Sequence, residues 1–462
     1  MKIHQKQLHQ VTTQNVINQM TNSMADSNVK IIIELKKFLE DIIKDSSKRS
    51  EYIASPQDFS RNRVLNFETI VLLLINSIKR SLNIELMSYF EHISGSIICT
   101  KQAFSKQRRK LKALFFHDWN QVLTTNFYRH YQYMRWQDFK LLAVDGSSVI
   151  LPDTEEIRSI YGSTANQSGQ GPVVARICVL YDVLNQLAIT GLLHPYTVAE
   201  ESVVLDAVRE EDLSESLLLF DRGYLSYWLI HQLLELNTHF VMRAACNANN
   251  TVKAFLASKE TDITVEIYPP YPSVKRLRDM GVAISKHTAV RIRLVKVLLS
   301  TGETEVLITN LYDTTCYTKE DLKQVYHLRW GIETYYGYMK DELQLGIFSG
   351  ISPLCIEQDF AANLFLFNLQ SIIEKQCEPY VNEISCKRKY QYKVNKNISW
   401  ASLKYRVVKL FIMEDPPKIL NELETLFCRY LEPIRPGRKY PRIKKRKPNS
   451  KHYTLTNYKK AI

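Results

Sequence analysis

Residues 139–145 read "FKLLAVD" and residues 216–221 read "SLLLFD". Each is a short, almost wholly apolar run that ends in an acid. A run with no polar alternation suits a central strand covered on both faces, and a strand of an open α/β sheet commonly carries its functional groups at its carboxyl end. Asp145 and Asp221 are therefore candidate site residues. Each also has an ordinary reading. Asp145-Gly146 is a strong turn pair, and Asp221-Arg222-Gly223 suits the N-cap of a following helix. Asp153, in "PDTEE", reads as a helix start, and Asp182 as part of a hairpin turn.

Around these runs the pattern alternates. "VVARICVLYD" and "QLAITGLLH" flank a short turn at Val183–Asn185 and read as a hairpin. Residues 199–212 and "YLSYWLIHQLLEL" are helical, and "THFVMRA" is a strand. Alternation of this kind predicts an α/β class, a mixed sheet with helices on its faces. Residues 247–312 hold further strand-like runs, such as "AVRIRLVKVLL" and "EVLITNLY", with almost no helical period. Residues 29–134 read as helical throughout. So does the stretch after about residue 319, where one helix to about residue 344 is followed by "IEQDFAANLFLFNLQSIIEK". Near the C-terminus come a basic loop, "KRKYQYKVNKN", one or two helices and a tail.

The chain has 462 residues, 45% of them apolar, which is enough for two or three domains with sizeable cores. Its net charge of +13 is unevenly placed. Of the 61 Lys and Arg, 11 lie from Arg435 onward, where there is no Asp or Glu; the other 434 residues carry 50 bases against 48 acids. Such a tail fits a polyanionic partner or a plain solvated extension. A second basic stretch, residues 101–112, holds six bases and no acids. There Ala103, Phe104, Leu111, Leu114 and Phe115 are expected to pack on one side with the bases outward. The preceding "NIELMSYFEHI" and "SGS" make helix-turn-helix one reading and a basic surface helix the other. The eight cysteines are scattered, without zinc spacing, and read as reduced thiols. No signal peptide is visible, and the longest apolar run, "IVLLLI" at 70–75, is too short to span a bilayer. A soluble intracellular protein is the default.

Two carboxylates brought together repel, and a shared proton or a bound cation relieves them; all-oxygen ligands suit Mg²⁺ or Mn²⁺. A third acid would complete a site for two metal ions acting in phosphoryl transfer. Glu333 is the candidate, within "YHLRWGIETYYGYMK" at 326–340. On a straight helix with about 100° per residue, Tyr326, Arg329, Glu333, Gly337 and Lys340 share one stripe beside an apolar one. That stripe would span about 21 Å, enough to meet several phosphates of one strand. The bland alternative is a solvated face with an Arg329–Glu333 pair worth about 0.3–0.5 kcal/mol.

Tyr326-x2-Arg329-x3-Glu333-x6-Lys340 resembles the YREK signature of DDE transposases of the insertion sequence four family, relatives of the transposon-five transposase. "AVDGS" at 143–147 resembles the first-aspartate motif of that family, and "FDRGY" at 220–224 the second. The order matches too, with 111 residues between Asp221 and Glu333. "RWGIE", "FSGISPLCIEQDF" and "RPGRKYPR" also look like family segments, so the resemblance covers roughly residues 90–460.

The resemblance implies an RNase H-like catalytic domain over 135–246 and 313–380, interrupted by a β-rich insertion at 247–312. From the pattern of the chain itself, a helical N-terminal region, 1–134, is expected to bind DNA, and a C-terminal helical region with the basic tail to fill 381–462. The resemblance implies Asp145, Asp221 and Glu333 as catalytic ligands of two divalent ions, Mg²⁺ or Mn²⁺. Water would be directed at a phosphodiester at the transposon end, and the freed 3′-hydroxyl then at target DNA. Tyr326, Arg329 and Lys340 would hold phosphates of the transposon end, and Arg243 is a further backbone contact. The partners implied are double-stranded DNA, as terminal inverted repeats and target, and a second copy in a DNA-bound homodimer, in the bacterial cytoplasm at the nucleoid. One departure stands out. Some members place a tryptophan in the last insertion strand to receive a flipped base during a hairpin step, whereas this chain has Glu305 and Val306 there. The alternatives are a transposase-derived DNA-binding protein that no longer cuts and a metal-dependent phosphoesterase for small substrates.

Overall fold

The computed structural model describes residues 24–435, except 62, 77–78, 94–98, 165–170, 299–301, 405 and 414. The basic tail beyond Arg435, the first 23 residues and the "SGS" turn of the helix-turn-helix reading lie outside the described residues. The chain divides into two compact units, one from Tyr133 to Asp341 and the other formed by the chain on either side of it.

The Tyr133–Asp341 unit is built on one eight-stranded sheet. Its strands are β1 (Lys140–Ile150), β2 (Val174–Asp182), β3 (Leu187–Pro195), β4 (Ser216–Phe220), β5 (His239–Ala244), β6 (Asp262–Ile267), β7 (Val290–Leu298) and β8 (Thr304–Thr309). Their order is β3-β2-β1-β4-β5-β8-β7-β6. β1, β2 and β3 are antiparallel neighbours, β1, β4 and β5 run parallel, and β5, β8, β7 and β6 alternate. The parallel strands are joined through the helices Glu200–Glu210 and Tyr227–Glu235. An antiparallel hairpin leading into parallel strands, with helices on the faces, is the RNase H-like α/β fold.

Period-2 alternation sorts the strand residues between two cores. Leu142, Val144, Leu218, Phe220, Phe240 and Met242 face the helices Glu200–Glu210 and Tyr227–Glu235, through Val203, Ala207 and Leu229 among others. Leu141, Leu217, Leu219, Val241 and Leu307 face the other way, against Leu322 and Val325 of the helix Lys319–Leu328. With both faces covered, β4 is buried at every position, which is why its sequence shows no polar alternation.

Two expectations need correction here. The insertion is not free of helix: Asn250–Ala257 and Tyr271–Asp279 are helical, and its three strands extend the main sheet. These helices have only eight and nine residues, and each anchors through very few apolar side chains: Val252 and Phe255 in one, Val274 and Leu277 in the other. That is too short a run for a 3.6 period to stand out. Nor is the stretch 319–344 one helix. It breaks after Lys319–Leu328 and restarts as Gly331–Asp341.

The other unit is helical. Its centre is the helix Pro353–Lys375, nearly all buried, packed on Leu114–His130 with the Trp119 and Phe365 rings stacked 4.2 Å apart. The basic stretch 101–112 is not one outward-facing helix. It forms Lys101–Arg108, capped by Thr100, and then a turn. Phe104, Leu111 and Phe115 are buried as expected, but Ala103 and Leu114 are exposed and Arg108 is buried. The expected basic loop contains a strand, Gln391–Val394, paired with Leu431–Ile434. Among the described residues no helix is long and apolar enough to cross a membrane.

Candidate active site

Sheet register brings the two aspartates together. Val144 of β1 pairs with Phe220 of β4, and Phe220 with Met242 of β5. The next residue on each of the three chains is Asp145, Asp221 and Arg243, so these form one row across the sheet. Their parity puts them on the face covered by the helix Lys319–Leu328. Asp145 is not a turn residue: β1 continues to Ile150, paired throughout with β2. What stops at Val144 is the parallel pairing with β4, and that divergence opens the space beside Asp145. Asp221 does precede a short 3₁₀ turn, Arg222–Tyr224, but its side chain makes no cap hydrogen bond there.

The third acid arrives from the helix that follows the covering one, Gly331–Asp341. Past Leu328 the backbone tightens: the Arg329 N–H donates to Tyr326 O, Trp330 N–H to His327 O, and Glu333 N–H to Trp330 O, each a bond of i to i−3 type. At Gly331 this turn lies beside Val183 of the β2–β3 connection. Tyr326 therefore sits on one helix and Glu333 and Lys340 on the next, and the straight-helix spacing of about 21 Å from Tyr326 to Lys340 does not apply. The helix Gly331–Asp341 is fixed to β1 at two points. The Tyr336 hydroxyl donates to Asp145 O at 2.8 Å, and Lys340 Nζ donates to Ser147 Oγ at 2.6 Å.

The acids and bases of the site are paired with one another. Arg329, only 7% exposed, donates from Nη2 to Glu333 Oε1 at 2.7 Å. Arg243 bridges two carboxylates, with Nη2 3.0 Å from Asp221 Oδ1 and Nη1 2.7 Å from Glu305 Oε1. Asp145 lacks such a partner guanidinium. Burial raises its carboxyl to about 6, and Glu333 and Asp221 push the same way; Arg329 and the Gly146 N–H oppose them. Burial likewise lowers the Lys340 ammonium, against the pull of Asp341 and Asp145. Burial raises the Tyr326 phenol, whose hydroxyl has no hydrogen-bond partner among the described residues.

Three oxygen-donor groups beside one another, one held up to about 6 by burial and by its neighbours, are the chemistry that a hard divalent cation relieves. As the side chains stand, no group of three His, Cys, Asp or Glu among the described residues is arranged to hold a metal ion. Glu333 is turned to Arg329 and Asp221 to Arg243. The donor set fits a cation; the guanidinium groups occupy two of its three members.

Sequence reasoning passed over two residues. Glu305 was noticed only as a missing tryptophan, and its link to Arg243 depends on strand pairing 62 residues apart. Trp330 lies within the family-like segment "RWGIE", which assigns it no role of its own. It is 60% exposed at the break, a flat apolar face next to Arg329 and able to stack on a base.

An RNase H-like sheet thus carries acids and arginines just past the ends of its parallel strands. The family is shown by residues 136–369, just over half of the chain, which match the model of the transposase DDE domain; the chain belongs to this family. It is a transposase, and domains of this kind use divalent metal ions. Among solved structures, a piggyBac transposase synaptic complex with hairpin DNA is similar over 89% of this chain and 87% of that one, at 10% identity and a TM-score of 0.41. No curated protein matches the chain.

Proposed function

We propose that the chain is a cut-and-paste transposase of the insertion sequence four type, with Tyr326, Arg329, Glu333 and Lys340 as its YREK residues. In this reading it cleaves the ends of its own element and joins them to target DNA. The observation that carries it is the row of Asp145, Asp221 and Arg243 one residue past paired positions of β1, β4 and β5, with Glu333 near enough to help raise the Asp145 carboxyl.

Asp145, Asp221 and Glu333 would hold Mg²⁺ or Mn²⁺, two ions by family analogy, and these supply activation of the attacking oxygen and stabilisation of the leaving one. The rest falls to the chain's own groups. Arg329 and Arg243 are guanidiniums that keep their charge, so they either neutralise carboxylates or bind phosphates. Phosphates of a bound DNA end offer them that second partner and free Glu333 and Asp221. Lys340, fixed over Ser147 beside β1, adds a point charge for a neighbouring phosphate. Tyr326 brings a hydroxyl that has no partner of its own. DNA with terminal inverted repeats is the substrate, and two copies acting on paired ends follow from the family's chemistry.

The test uses duplexes carrying the inverted repeats found beside the gene. The expected result is cleavage at the repeat in Mg²⁺ or Mn²⁺ that leaves a 3′-hydroxyl, with none after EDTA. End binding that weakens steeply with salt, without cleavage in any divalent metal, would favour the DNA-binding descendant instead.

A further inference from the structure

We propose that Glu305 is a positioning residue that draws Arg243 off Asp221 and so leaves Asp221 open to a divalent cation. This rests on the reading of Asp221 as a cation ligand.

Arg243 pairs with Leu307 across β5 and β8, and Glu305 is two residues along β8 on the same face. The guanidinium therefore lies between Asp221, at 3.0 Å, and Glu305, at 2.7 Å. The side chains are 26% exposed for Arg243, 30% for Asp221 and 18% for Glu305, so water screens their interactions only in part. A cation arriving at Asp221 needs the oxygen that Arg243 now approaches. Arginine cannot give up its proton, so it must move rather than neutralise. Glu305 supplies a second carboxylate already in contact, and Arg243 reaches it fully by a side-chain adjustment with no change in the strands. Take away the charge of Glu305, and Asp221 becomes the one carboxylate in contact with that guanidinium. Arginine and cation then compete for it directly. Partners one step removed from metal ligands commonly change metal affinity by 10- to 100-fold.

The test is Mn²⁺ binding to the DNA-free full-length protein, followed by the electron paramagnetic resonance signal of free Mn²⁺. Glu305→Gln is expected to weaken binding about tenfold, and Arg243→Gln to tighten it by a similar factor. In the Arg243→Gln background, Glu305→Gln is expected to change affinity less than about twofold, because the competitor is gone. Unchanged affinity in Glu305→Gln overturns the proposal. So does an equal loss with and without Arg243, which would make Glu305 a ligand in its own right. Should Glu305→Gln fail to fold, tightening by Arg243→Gln decides alone, and its absence overturns the proposal. Asp221→Asn separates the two levels. If it leaves Mn²⁺ binding intact, the cation-ligand reading itself fails, and the role of Glu305 with it.

Discussion

Glu333→Gln is expected to lower cleavage of the element's ends by about a hundred- to a thousandfold, on the order of the loss when one group of a preorganised site is removed. The substitution keeps the shape of the side chain and removes its charge. The amide oxygen still accepts a hydrogen bond from Arg329, which now donates to Oε1 at 2.7 Å, so the turn at 329–330 and the helix after it stay in place. The pair joins the Arg329 side chain, 8% exposed, to that of Glu333, 33% exposed, so losing the charge while keeping the hydrogen bond costs less than the ~3–5 kcal/mol of a buried pair broken outright. Binding of the ends is expected to persist. The two readouts together separate a catalytic acid from a helix-stabilising one: cleavage at the wild-type rate, or a parallel loss of folding and cleavage, would remove Glu333 from the site.

The largest effect on stability is expected in the helical unit, at Arg108. Its side chain is buried in the helical unit and fully engaged. Nε donates to Gln358 Oε1 at 2.6 Å, Nη2 to Asp359 Oδ1 at 2.7 Å and to Cys355 O at 3.0 Å, and Nη1 to Ser349 Oγ. Ser349 in turn donates to Asp359 at 2.6 Å, and Gln358 Nε2 donates to Leu111 O at 2.6 Å. Arg108→Leu removes one charge and leaves Asp359 buried without its counter-charge, a loss of about 3–5 kcal/mol. Urea titration should show a lower midpoint for the helical unit. Arg109→Leu, at an exposed neighbouring position, should shift it by less than about 0.5 kcal/mol. Equal effects at 108 and 109 would mean that the network contributes nothing to holding the start of the Pro353–Lys375 helix.

This contrast also marks what the sequence made legible. Runs such as "LLAV" and "LLLF" announce strands buried on both faces, because burial removes the polar alternation that solvent would impose. The acids that follow them could then be picked out as candidates. Their adjacency could not, since it depends on a parallel register joining residues 76 positions apart, Val144 with Phe220. The Asp-Gly pair pointed to a turn that is absent: pairing to β2 across Gly146 keeps the strand extended. The break at Arg329–Trp330 was hidden because the apolar period runs on through it, with Val325, Ile332, Tyr336 and Met339 all buried. Arg108 was read as a surface base for a similar reason. Six bases among twelve residues with no acid look solvated, and only the fold brings Asp359 to one of them. Local pattern therefore reported which residues are apolar and which acidic, and long-range pairing decided which charges meet.

The central claim is that Asp145, Asp221 and Glu333 converge on bound divalent metal, and the most direct measurement is where iron cuts the chain. Fe²⁺ replacing the native ion, with ascorbate and peroxide, releases radicals that cleave nearby backbone. With DNA ends bound, the account predicts fragments ending near residues 145, 221 and 333 together, suppressed by excess Mg²⁺ and lost in Glu333→Gln. Cuts confined to other segments, or cuts at 145 and 221 that persist unchanged in Glu333→Gln, would contradict it.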